Sequence, residues 1–275
     1  MKKLIENVIE LCKTKHGKNI GIFDNSFLEQ SLNGRMSFLY CNNKSDFYKL
    51  LSTSESESLA FINSLTNSYS EFFRSPLTFS ILEQHILPLV FKSNQANKVS
   101  GIRIWSAGCA LGQEPYSIAI LCEDLIQPLS LKIPYTIFAT DISINEIFKA
   151  KSGRYDYNTI KNTRFSFVTN YFSEINNEYI INEDIRSKVN FSYYDLLDTE
   201  STSPSASIYG DFDIVFCSNL LFYYKPEVQE FIVSKIHRSL KRGGYFITGE
   251  AETAIVKSFK GFKQFVSIAP IFIKI

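Results

Sequence analysis

The chain has 275 residues, 45% apolar and 21% charged, a balance that excludes wholesale disorder, a collagen-like repeat and a disulfide miniprotein. Twenty-nine Lys and Arg against twenty-eight Asp and Glu leave a net charge of +1, which gives no electrostatic case for a nucleic-acid partner. Five scattered cysteines form no CxxC pair and three histidines lie far apart, so neither a zinc site nor a disulfide framework is expected.

The first 90 or so residues read as helices. Leu4, Ile5, Val8, Ile9 and Cys12 recur at helical spacing, and Gly17 marks a stop. Ser26 with Glu29, and Ser54 with Glu57, read as capping boxes that open a second and a third helix. Ser75-Pro76 reads as an N-cap followed by proline at the first helical position, where its missing N–H costs nothing. Ile81, Leu82, Ile86 and Leu89 then supply an apolar face, and the polar stretch Lys92 to Lys98 marks a boundary. Lys2, Lys3, Lys13, Lys15 and Lys18 make the N-terminus basic and read as a solvated helix face. Glu6 and Glu10 fall where a secretory signal would be apolar, and no apolar run approaches the roughly 18 residues of a membrane helix. A cytosolic protein without membrane insertion is expected.

From residue 101 short apolar runs alternate with amphipathic helices. Strands are expected at Ile102–Ala107, Tyr135–Ala139, Val189–Tyr194, Phe212–Cys217 and Tyr245–Thr248. Helices are expected from Glu114-Pro115 to Leu125, after the capping pair Ser143 and Glu146, and from Pro226 to Leu240, with Gly243-Gly244 ending the last. Phe265–Ile268 and Ile271–Ile275 read as a closing hairpin. The alternation predicts an α/β fold, a mostly parallel sheet with helices on both faces. Residues of about 155–188 break it, with Tyr171-Phe172 and Tyr179-Ile180-Ile181 in polar surroundings, and read as a small inserted β unit. The expected organisation is a helical domain over 1–90 and an α/β domain over 91–275 carrying that insert.

In an open α/β sheet ligands sit beyond the carboxyl ends of the strands. The first strand ends in Ser106-Ala107-Gly108-Cys109-Ala110-Leu111-Gly112-Gln113-Glu114, where small residues admit a ligand or simply make a tight turn. Asp141 ends the second strand, where a carboxylate can bind both hydroxyls of a ribose or cap the next helix. Asp195 follows the third and Asn219 the fourth. Each alone reads as a loop or cap residue. The four together point to an adenosine-containing cofactor. No P-loop lysine and no Ser-His-Asp arrangement is legible.

These residues resemble the chemotaxis receptor methyltransferases (CheR) over nearly the whole chain. The likeness rests on Phe72-Phe73-Arg74, Trp105-Ser106-Ala107, Gly112-Gln113-Glu114-Pro115-Tyr116-Ser117, Ala139-Thr140-Asp141-Ile142, Phe216-Cys217-Ser218-Asn219 and Leu240-Lys241-Arg242-Gly243-Gly244. It implies an all-α N-terminal domain before a Rossmann-like class I S-adenosylmethionine (AdoMet) methyltransferase domain with a small antiparallel β insert. It implies an enzyme that methylates glutamate side chains on receptor signalling helices. Carried over by motif, the cofactor-binding residues are Ser68, Ser70, Arg74, Gly108, Glu114, Asp141 on the ribose, Asp195 and Leu196 near the adenine, Ser218 and Asn219. The catalytic candidates are Arg74 and Tyr223, and no metal is implied.

Two departures matter. The family's Cys-Arg-Asn reads Cys217-Ser218-Asn219, so an active-site arginine is missing. The segment between Tyr171-Phe172 and Tyr179 is short and lacks the Gly-bearing loop that accompanies docking of a receptor pentapeptide, which implies the pentapeptide-independent kind. Ser218 also opens an alternative, a weakened module that binds AdoMet or its product S-adenosylhomocysteine (AdoHcy) as a sensor or scaffold. A methyltransferase acting on another carboxylate is a further alternative, because the fold tolerates many acceptors.

Overall fold

The computed structural model describes residues 1–66, 69–96, 101–129, 133–207 and 210–275. The chain divides into two compact units, Met1–Asn67 with Phe222–Gln229, and Ser68–Leu221 with Glu230–Ile275. Among the described residues no helix is long and apolar enough to cross a membrane.

The first unit is built from α1 (Lys2–His16), α2 (Asn25–Phe38), α3 (Lys44–Thr53) and α4 (Glu55–Ser64). Val8, Cys12, Leu28, Leu32, Phe47 and Phe61 form its core. Gly17 ends α1 in the left-handed conformation, φ 64°, and its N–H returns to the Lys13 carbonyl. Ser54 caps α4 as expected, accepting from the Glu57 N–H at 3.2 Å. The cap of α2 is Asp24 rather than Ser26. The Asp24 carboxylate accepts from the Ser26 N–H at 2.8 Å, and a charged acceptor two residues upstream outcompetes the hydroxyl. Phe222–Gln229 joins this unit through Tyr224, whose ring stacks on Phe23 at 5.2 Å, and Tyr223, whose ring lies 4.7 Å from Phe27.

The second unit opens with a helical run: α5 (Pro76–Ile81), a π turn (Leu82–Ile86) and α6 (Leu87–Ala96). The division expected near residue 90 falls inside α6. Proline at 76 occupies the first helical position, but Ser75 makes no side-chain cap and sits at φ 62°. The π turn has a local cause in Pro88. Its ring clashes with the carbonyl four residues back and it brings no N–H, so the helix widens and Leu87 donates instead to Leu82. The extra residue rotates the following turn, so Leu87 and Val90 are buried while Leu89 is half exposed, contrary to the simple spacing.

The strands in chain order are β1 (Ile102–Ala107), β2 (Tyr135–Asp141), β3 (Arg154–Tyr155), β4 (Phe172–Ile175), β5 (Glu178–Ile181), β6 (Val189–Tyr193), β7 (Phe212–Cys217), β8 (Leu240–Thr248), β9 (Phe262–Gln264) and β10 (Ile271–Lys274). Seven of them form one sheet, ordered β6-β2-β1-β7-β8-β10-β9. β6, β2, β1, β7 and β8 run parallel, and β10 is antiparallel to both β8 and β9. The inner strands are almost entirely buried, as apolar runs covered on both faces must be. Two boundaries differ from expectation. β8 starts at Leu240, with Gly243-Gly244 inside it at an irregular step of its pairing with β7. The closing pair is β9 with β10, so residues 265–268 form the connection rather than a strand.

The remaining three strands form an antiparallel sheet, β3-β5-β4, beside short helices. Asn176 (φ 54°) and Asn177 (φ 64°) make its two-residue hairpin turn, a conformation asparagine tolerates well.

Candidate functional site

β1 is central, with β2 on one side and β7 on the other, so the chain reverses its direction of travel there. That switch opens a crevice beyond the carboxyl ends of the parallel strands. The loop after β1 is fastened to β2, since the N–H groups of Gly108 and Cys109 donate to the Thr140 carbonyl at 2.8 and 2.9 Å. Gly108 holds φ 76°, and Gly112 holds φ 90° under closer constraint. A Cβ at Gly112 would stand 2.9 Å from Ala150 Cβ and 3.2 Å from Phe191 Cζ. The tight loop lets α7 (Gln113–Leu129) start flush against the sheet and against α8 (Ile144–Ser152).

Glu114, in the first turn of α7, accepts from the Ser106 hydroxyl at 2.7 Å. Withdrawal from water pushes its carboxyl up to about 7. The buried Glu252 carboxylate adds to the rise, while Ser106, Ser218 and the Arg74 guanidinium oppose it. Three segments distant in sequence thus meet at one carboxylate.

Asp141 closes β2. Its Oδ2 accepts from the Ala110 N–H at 2.9 Å and its Oδ1 from the Ser143 N–H at 2.8 Å. The helix cap is Ser143, which accepts from the Glu146 N–H at 3.3 Å, so Asp141 braces the glycine loop instead. Burial raises its pKa and these backbone donors oppose the rise. Each oxygen keeps a lone pair for a hydroxyl donor. Tyr194 donates its backbone N–H to the Asp141 carbonyl at 3.1 Å, which sets the next loop beside it. Asp195 and Leu196 follow at once, half-buried, with Asp195 Oδ1 accepting from the Leu197 N–H at 2.8 Å.

Ser218 and Asn219 follow β7, and Asn219 sits in the left-handed region at φ 60°. The fully buried Glu252 beyond β8 holds this loop. It accepts from the backbone N–H groups of Asn219 at 3.0 Å and of Leu220 and Leu221 at 2.6 Å each. Reading of the sequence missed Glu252. Its signal was an acid just past the end of a parallel strand, but Glu250 shared that signal.

Arg74 is placed by the two rings before it. Phe72 packs against Tyr155 at 4.9 Å and Phe172 at 5.4 Å, and Phe73 against Phe79 at 5.5 Å and Phe167 at 5.3 Å. The Phe73 N–H donates to the Ser117 hydroxyl on α7 at 3.0 Å. The guanidinium lies over the Tyr69 ring, 5.4 Å from its centre. Ser70 is half-buried on the same segment, and Ser68 lies outside the described residues. Tyr223 belongs to the first unit, where it ends a short helical turn and its carbonyl accepts from the Asp24 N–H at 2.8 Å.

The second unit therefore gathers Arg74, Gly108, Glu114, Asp141, Asp195, Leu196, Ser218 and Asn219 around the strand ends. Three carboxylates, a glycine loop and one guanidinium suit a ligand that carries a ribose diol, an ammonium, a carboxylate and a positive sulfonium. The residues present fit AdoMet.

Comparison with known proteins agrees. Residues 68–269 match the family model described as CheR methyltransferase, SAM binding domain. A "Chemotaxis protein methyltransferase 1" of Pseudomonas aeruginosa is 33% identical over 195 residues, 70% of this chain and 68% of that one. A "Chemotaxis protein methyltransferase" of Borreliella burgdorferi is 25% identical over 252 residues, 90% of this chain and 87% of that one. A "Probable biofilm formation methyltransferase WspC" of Pseudomonas aeruginosa is 30% identical over 251 residues, 90% of this chain and 56% of that one. A parallel sheet closed by the antiparallel β10, a crevice that fits AdoMet and a family match across the second unit lead to one conclusion: this chain belongs to the CheR family of AdoMet-dependent methyltransferases, with the class I methyltransferase fold.

Proposed function

We propose that the chain methylates glutamate side chains of a chemoreceptor-like signalling protein in the cytosol, giving glutamate methyl esters. The observation that carries this reading is Arg74, a cation on the segment that the Phe73 N–H fastens to Ser117 of α7 at 3.0 Å, in the same helix as Glu114. Relatives named as chemotaxis methyltransferases support the partner class. The two-residue turn at Asn176-Asn177 supports docking without a pentapeptide.

When bound, AdoMet supplies an electrophilic methyl group on a sulfonium. Asp141 would hold the ribose, Asp195 and Leu196 would flank the adenine, and Glu114 would face the ammonium. Gly108, Ser70 and Asn219 would line the remaining wall. The acceptor carboxylate is ionised near neutral pH and is already a nucleophile, so the protein needs no strong base. Arg74 orients that carboxylate by charge-assisted hydrogen bonds. The family motif assigns Tyr223 the role of a hydrogen-bond donor to the reacting oxygen, and that role is part of the proposal. Excluding water favours the meeting of opposite charges, provided the atoms are aligned.

The test incubates the protein with methyl-labelled AdoMet and a soluble receptor signalling bundle, then releases base-labile methyl ester as methanol. Ester formation on glutamate supports the proposal. The sensor reading has one observation in its favour: Ser218 stands where the family carries an arginine. AdoHcy binding with no ester on any bundle offered would favour that reading over the enzyme.

A further inference from the structure

We infer that Glu252 is a positioning residue that sets the Ser218–Asn219 wall of the cofactor crevice. The inference rests on the AdoMet site proposed above. The Glu252 side chain is 0% exposed. Its Oε1 accepts from the N–H groups of Leu220 and Leu221 at 2.6 Å each. Its Oε2 accepts from the N–H groups of Asn219 at 3.0 Å and Gly249 at 2.8 Å. The Thr248 hydroxyl lies 2.6 Å from Oε2 and 2.9 Å from the Cys217 carbonyl, and its one proton serves either. One carboxylate thus gathers four backbone donors from the ends of two neighbouring strands, β7 and β8.

Consecutive N–H groups pointing to one place form an anion-binding nest. Here the anion is the protein's own side chain. Asn219 is held at φ 60°, in the left-handed region that asparagine adopts more readily than most residues. The two loops also touch. A Cβ on Gly249 would stand 2.8 Å from Asn219 Nδ2 and 3.0 Å from Asn219 N. The Asn219 side chain is therefore aimed by the carboxylate beneath its backbone and by the missing side chain at 249. Glu252 also bears on Glu114 through space, across the serine at 218.

Glu252→Gln tests this with almost no change of shape. One amide oxygen can still accept from two N–H groups, but the amide NH2 faces the other two as donor against donor. Unpaired buried donors are costly, so AdoHcy affinity should fall about 10- to 100-fold by calorimetry. Asn219→Ala should add little in the Glu252→Gln background, because both changes remove one device. The pH profile supplies a readout that loosened packing would not move. Glu114 is faced by the Ser106 and Ser218 hydroxyls, Arg74, Glu252 and the buried thiol of Cys217. Removing the Glu252 charge should lower the pH at which AdoHcy affinity begins to fail. Folded Glu252→Gln with wild-type affinity and an unmoved pH midpoint would overturn the inference. If that variant does not fold, Gly249→Ala pushes a methyl into the Asn219 loop at an ordinary φ of −77° and should also weaken AdoHcy. Wild-type affinity in folded Gly249→Ala overturns it equally. Failure of the unaltered protein to bind AdoHcy would instead sink the proposed function.

Discussion

Lowering the pH should empty the cofactor site through Glu114. Burial and the neighbouring Glu252 raise its pKa to about 7 in the free protein. A ligand ammonium beside it favours the ionised form, so binding must displace the proton. If only the ionised form binds, the apparent Kd scales as one plus the ratio of protonated to ionised Glu114. With a pKa of about 7, AdoHcy affinity then falls about 90-fold from pH 8 to pH 5. Stability of the ligand-free protein responds with the opposite sign. A carboxyl whose folded pKa lies above its unfolded value contributes stability below the unfolded value. That contribution fades as pH rises through about 7. Acid should therefore weaken the complex while relieving the empty site. Calorimetric titration with AdoHcy at several pH values measures the first effect, with Glu114→Gln as the control that abolishes the slope. Affinity independent of pH between 5 and 8 would show that Glu114 does not face the ligand's charged end, and would refute the reasoning.

Other substitutions probe separate parts of the site. Gly112→Ala combines a positive φ with a Cβ 2.9 Å from Ala150 Cβ, and should cost about 2 to 4 kcal/mol in urea unfolding. An unchanged midpoint would mean the loop yields freely. Asp141→Asn removes a charged acceptor and turns an NH2 toward the N–H of Ala110 or Ser143, so AdoHcy should bind about 10- to 100-fold more weakly in titration. Tyr223→Phe should keep AdoHcy affinity and lose about 100-fold in methyl transfer to a receptor bundle. Undiminished turnover removes Tyr223 from the mechanism.

The β-α alternation was legible because each inner strand is an apolar run bounded by turn residues. Ile102–Ala107 and Phe212–Cys217 lie where the pattern puts them. The boundaries that escaped have physical causes. The Gly243-Gly244 pair reads as a break, yet a Cβ on Gly244 would stand 3.0 Å from the Phe212 carbonyl, so the glycine serves a close strand approach. Asp24 displaced Ser26 as a cap because both residues have the chemistry and only geometry chooses between them. The Leu89 face was misassigned because a proline two residues past the π turn changes the helical phase.

By itself the sequence determined the order of strands and helices, the small residues of the loop at 108–112 and the acids at strand ends. These are local matters of period, turn chemistry and charge, and each is written within a few neighbouring residues. The tertiary structure decided which polar groups meet. Arg74, Ser106, Glu114, Ser218 and Glu252 are spread over 179 positions of the chain and converge on one carboxylate environment. Sheet order and register alone bring the ends of β1, β7 and β8 together. The raised pKa of Glu114 and the role of Glu252 belong to that convergence, because desolvation and through-space charge depend on distance in space, not on distance along the chain.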